Sequence, residues 1–124
     1  MFENRVNAEL IAEILDRGKD DWIDFAEVMS IVRSRTALSE PVATTLSVEL
    51  VGEMLNRRLA LIGDLTERTG SVVFSPWDGL PKQNVERMQI ALTKLGHRPG
   101  IGDVCWLSTT GAGVANEVSN AVRV

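Results

Sequence analysis

At 124 residues the chain has the size of one domain, large enough to bury a core without disulfide or metal staples. Its 44% apolar and 24% charged content is that of a globular protein, and no stretch approaches the ~18 uninterrupted apolar residues of a membrane span. The formal charge of −4 has the wrong sign for a generic nucleic-acid binder, and a single cysteine excludes an internal disulfide.

The acidity is concentrated. Residues 1–27 hold eight acids and three bases, net −5, while the rest of the chain nets +1. Such a cluster reads first as a solvated helix face and second as a patch that steers a basic partner. The opening residues Met1, Phe2, Glu3 and Asn4 contain neither a basic segment nor an apolar run, so no signal peptide is expected and the cytoplasm is the default location.

Val6, Leu10, Ile11, Ile14 and Leu15 recur at helical spacing and predict a first helix from about Asn4 to Arg17. Gly18 then fits a left-handed residue just past its end. Asp20 and Asp21 offer caps for a second helix, in which Trp22, Phe25, Ala26, Met29 and Val32 share a wide apolar face. Paired acids also invite thoughts of metal or acid–base work, but without a third acid at ligand spacing capping explains them better. Ser39, Glu40 and Pro41 mark a break. A third helix is expected to open near Thr44, Thr45 or Ser47, with Leu46, Leu50, Val51, Met54 and Leu55 as its stripe and Arg57 and Arg58 in its last turns.

Periodicity then changes. A strand at about 60–66, a turn at Thr69 and Gly70, and a strand over Ser71 to Phe74 read as a hairpin. Ser75 to Gly79 break the pattern. Val85, Met88, Leu92 and Leu95 predict a helix over about 82–95 that Gly96 closes. Asp103 to Ser108 read as a third strand. Gly111 to Val122 read as a final helix, capped by Thr109 or Thr110.

Three helices, a small sheet, and the run Trp106, Leu107, Thr110, Gly113 resemble the winged-helix superfamily. The run is similar to the aromatic–Leu–Thr–Gly ending of the wing strand in many bacterial winged-helix regulators. The resemblance spans about residues 20–118 of one domain, 1–124. It implies an α+β fold: a winged-helix-like helical core, a small antiparallel three-stranded sheet, and here an inserted helix between the wing strands. Two departures stand out. About ten residues join the second and third helices, and about 25 residues separate the second and third strands. The family's recognition helix sets its N-terminal residues against base edges. Here that stretch offers Ser47, Val48, Glu49 and Glu53, whose carboxylates repel phosphate.

Chemistry-bearing residues are few. Cys105 and His97 are the sole thiol and imidazole, too few for a zinc site, and Cys105 sits where small buried cysteines are common. Gly111-x-Gly113 echoes a dinucleotide fingerprint, but Asn116 replaces its third glycine. No catalytic residue, metal or cofactor is therefore expected. Trp22 and Trp106 read as core. Trp77, beside Phe74 and Pro76, reads either as a staple for the inserted helix or as an anchor for a partner.

The expected role is a non-enzymatic protein-interaction module, of which an immunity- or antitoxin-like protein masking a basic partner is one concrete form. Asp16, Asp20, Phe74 and Trp77 are its candidate contact residues, and a homodimer is allowed. The alternative is a dimeric DNA-binding transcriptional regulator, with Arg57, Arg58 and Arg68 as its phosphate contacts.

Overall fold

A computed structural model describes residues 2–109. The expected final helix, the cap at Thr110 and the family-like Thr110 and Gly113 lie outside the described residues. The elements run α1 (Phe2–Arg17), β1 (Ile23–Asp24), α2 (Phe25–Arg35), α3 (Glu40–Asn56), β2 (Leu61–Arg68), β3 (Ser71–Pro76), α4 (Pro81–Leu95) and β4 (Trp106–Ser108). The class is α+β. The sheet has four antiparallel strands in the order β1-β4-β2-β3, one more than expected. The addition is β1, two residues that no periodicity can announce.

Leu10, Ile11 and Ile14 of α1, Val28, Met29, Ile31 and Val32 of α2, and Leu50, Val51 and Met54 of α3 form a core against one sheet face. Ile23, Ile62 and Leu107 supply that face, since residues paired across strands share a side. α3 is buried all round except for one stripe, which makes it the central helix. α1 is fastened to α2 by Arg35 on Glu13 at 2.7 Å and Arg17 on Glu27 at 3.1 Å.

Several boundaries differ from expectation for local reasons. α2 starts at Phe25, not beside Asp20 and Asp21. Its cap is Asp24, which accepts from Ala26 N and Glu27 N, both at 3.3 Å, and from Gly102 N at 3.1 Å. Asp21 instead accepts from Trp22 N, and half-buried Trp22 precedes the helix. α3 starts at Glu40, several residues before Thr44, because a proline at N1 or N2 needs no N–H partner there. Gly18 does not take the left-handed conformation. It is small because Thr109 packs on it: an added Cβ would lie 2.9 Å from Thr109 Oγ1. Thr109 donates to Gly18 O at 2.8 Å. Gly96 does end α4 left-handed, at φ 74°.

Gly63 is the tightest position. It pairs with Trp106 of β4 on one side and with Pro76 of β3 on the other. A Cβ there would overlap Ser75 O and sit 2.8 Å from Pro76 Cα, both backbone atoms that cannot swing aside. Glycine inside a strand marks such a close approach. We expect Gly63→Ala to lower stability by about 3 kcal/mol in urea denaturation, as forced overpacking does. Gly70→Ala, which meets open space but keeps a positive φ, should cost about 1 kcal/mol. Equal, small losses would contradict this assignment.

Candidate interaction surface

The β2–β3 hairpin leaves the core as it runs. Ile62 and Gly63 are buried, and every residue from Asp64 to Arg68 is exposed or half-buried. Thr69 and Gly70 close it with φ of 47° and 82°, the two positive values of a type I′ turn. Pairing is unbroken from Gly63↔Pro76 to Arg68↔Ser71, with no bulge.

Alternation then assigns two faces. Asp64, Thr66, Ser71, Val73 and Ser75 lie on the helix side, where Thr66 and Ser75 hydroxyls meet at 2.9 Å. Leu61, Leu65, Val72, Phe74 and Pro76 share the opposite side with Trp106 and with exposed Glu67, which stands directly across from Val72. Loop residue Gly102 lies against the Trp106 indole, with an added Cβ 3.5 Å from its nitrogen, so the β4 end of that side is lined by chain. The hairpin end is open: Val72 is 56% exposed, and Leu65 and Phe74 are half-buried; Leu61, 49% exposed, stands at the other end of β2 opposite Ser108 of β4. A contiguous apolar face of this kind, set among polar residues, marks interaction surfaces.

Of the expected contact residues, Phe74 stands on β3, the strand expected over Ser71 to Phe74, which runs on to Pro76. Trp77 follows that strand and packs against the core; its indole nitrogen donates to Asp64 at 3.0 Å and the Arg87 guanidinium lies 3.8 Å above its ring. That geometry ties α4 to β2. Asp16 and Asp20 are exposed near the end of α1, Asp16 paired with Lys19 at 3.1 Å, which raises the lysine pKa. They adjoin β1, and β1 and β3 are opposite edges of the sheet, so the structure does not bring the acidic and aromatic residues together. Sequence reasoning missed Leu61, Leu65 and Val72. Only their odd-numbered or even-numbered alternation along each strand announces them.

α4 packs on α3, its Val85 against Gly52, where an added Cβ would lie 3.1 Å away. Met88 reaches past it into the core, its Sδ 3.8 Å from Cys105 Sγ. What α3 leaves to solvent is the stripe Val42, Thr45, Glu49, Glu53 and Asn56. Ser47 and Val48, expected at the head of a reading face, are buried, and Ser47 Oγ donates to Ala43 O. Arg57 is held by Glu53 at 3.2 Å, Arg58 sits at positive φ just past α3, and Arg68 lies beside the hairpin turn. The three arginines are therefore split between two elements.

Elsewhere, an open hollow of about 560 Å³ between α2 and the 98–99 loop is lined by Arg33, Arg98, Ser30 and Ser34 among others. Arg98 is forked onto both Glu40 oxygens at 2.9 Å, which holds the Glu40 carboxyl below its usual range. Among the described residues no three His, Cys, Asp or Glu side chains gather, and no described helix is long and apolar enough to cross a membrane. His97 is exposed, its Nδ1 2.9 Å from Arg98 O, while Cys105 is 1% exposed. Burial first, then the charges of Asp24 and Asp64, push the Cys105 thiol far above its ordinary pKa.

No family model matches the chain, and no curated protein or solved structure matches it.

Because only the thiolate reacts, Cys105 should be modified by a thiol reagent no faster than the chain opens. Its labelling rate is expected to climb with urea and to stay low through mildly alkaline pH. Labelling of the folded protein at the rate of a free thiol would contradict the buried placement.

Proposed function

We propose that this chain is a cytoplasmic, non-enzymatic protein-interaction module on a winged-helix-like scaffold. Three features support the scaffold. Helix α1 leads into β1 and helices α2 and α3 separate β1 from β2, β4 returns between β1 and β2, and β3 with α4 reads as an insertion between the wing strands.

The observation that carries the functional reading is the exposed apolar cluster Leu65, Val72 and Phe74 on the outer side of the β2–β3 hairpin, with Glu67 at its border. The state of α3 points the same way. Its flank is occupied by α4 and its free stripe carries Glu49 and Glu53. A helix offering two carboxylates to a phosphate backbone pays Coulomb repulsion at each one, and Arg57 is already spent on Glu53. A basic partner, as an immunity- or antitoxin-like role would require, would find its steering charge on exposed Asp16, Asp20 and Asp21 at the far edge.

The regulator reading keeps one specific support: Arg68 stands at the tip of a projecting hairpin, where a wing would meet DNA. Three arginine contacts give a salt slope of about −3 at most.

Two measurements separate the readings. Mobility shift with random duplex at low salt should show no complex. Pull-down from the native host should retain a partner that Leu65→Ser with Phe74→Ser loses while circular dichroism stays unchanged. A salt-sensitive DNA complex that weakens after Arg57→Ala with Arg58→Ala would replace the module by the regulator.

A further inference from the structure

We infer that the outer edge of β3 pairs with β3 of a second copy of this chain, about a two-fold axis through Val73. The inference rests on the interaction-module reading and names the partner of that surface's edge.

Among the described residues β3 is an edge strand, hydrogen-bonded only to β2. Which of its backbone groups remain free follows from the register. Trp77 N donates to Ile62 O at 2.8 Å, extending the ladder in which Ser71, Val73 and Ser75 turn their N–H and C=O toward β2. Val72 and Phe74 therefore aim both backbone groups outward, and Pro76 aims outward a nitrogen that has no hydrogen. The edge lacks most devices that keep such strands apart. Ser71–Pro76 contains no charge, the pairing has no bulge, and proline stands only at its base.

The strand is complementary to itself in one register. Antiparallel pairing must set outward residues against outward residues. Placing Val72 opposite Phe74 of the second copy, and the reverse, satisfies every outward N–H and C=O of both residues in four bonds. Sliding by one step to set Phe74 on Phe74 opposes Val72 to Pro76, and the Val72 carbonyl then finds no donor. Sliding the other way opposes Phe74 to Gly70 in the turn.

Side chains agree with the same register. On the open apolar side, Val72 meets Phe74 twice, an aromatic against a β-branched residue, a favourable cross-strand pair. Leu65 then backs each phenylalanine and Glu67 each valine, so the two apolar clusters join across the axis with a carboxylate at each outer end. On the other side Val73 meets Val73. Reading across strands, Arg68 and Ser71 line up with Ser75 and Asp64 of the second copy, so no charge stands in line with its like. Eight strands would form one sheet, with the acidic β1 edges at its two ends.

Sedimentation across a wide concentration range tests this. The wild-type mass should rise from 13.6 kDa toward twofold that value as concentration increases. Val72→Pro removes only an outward N–H, which an edge strand tolerates, so it should keep the native circular dichroism spectrum and stay at the monomer mass. Val72→Lys should do the same. Val73→Pro removes an N–H that faces β2 and should instead lower stability. A wild-type chain that stays monomeric throughout, or a Val72→Pro chain that doubles its mass as the wild type does, overturns the self-pairing. The pull-down that depends on Leu65 and Phe74 is read separately, so a wild-type chain that stays monomeric while retaining that partner rejects the second copy and spares the module.

Discussion

The close passage of β3 over Gly63 sets the form of this protein. β2 is flanked by β4 and β3, and at Gly63 it touches both, Trp106 on one side and Pro76 on the other. Upstream of that point β2 belongs to the core through Ile62. Beyond it the strand carries β3 out into solvent. A glycine in a strand interior costs about 0.5–1 kcal/mol in backbone freedom relative to alanine. Here that loss is outweighed, because any side chain would meet immovable backbone. The projecting hairpin, its open face and its free edge all follow from this single junction.

The second determinant is where α4 goes. The chain could have closed a wing directly from β2 to β4. It instead adds β3, turns at Pro76 to Leu80, and lays α4 on α3 through Val85 and Met88. Trp77 locks the turn by joining Asp64 and stacking under Arg87. The same segment thus does two things. It covers one flank of α3, and it builds the edge strand β3. Two surface glutamates, Glu49 and Glu53, stand on the stripe that α3 leaves to solvent.

Much of this was legible in the residues. α1 and α4 are strongly periodic, and their limits follow from Leu10, Ile11 and Ile14 and from Val85, Met88 and Gly96. Cys105 in an apolar run was readable as a buried thiol. The boundaries around α2 and α3 were less so. Asp20, Asp21 and Asp24 are equally good caps by type, and only Gly102, distant in sequence, gives Asp24 its third donor. Pro41 serves equally as a breaker and as a first-turn residue. Gly18 looked like a helix terminator and is instead a seat for Thr109, a contact between residues far apart in the chain. The exposed side of the hairpin was the least legible. Whether β3 is an edge depends on β4 inserting between β1 and β2, and three residues of β4 decide that. Phe74 stands out by residue type, but its companions Leu65 and Val72 become a face only once the register with β2 is known.

Residue-resolved amide exchange offers the most direct test of an open, self-pairing hairpin. Val73 and Ser75 amides, bonded to β2, should exchange slowly at every protein concentration. Val72 and Phe74 amides, aimed away from β2, should exchange fast in dilute protein and slow down together as concentration rises. Val72 and Phe74 amides that stay as fast as those of an unfolded chain at all concentrations, or that are already protected in the dilute monomer, would contradict the account.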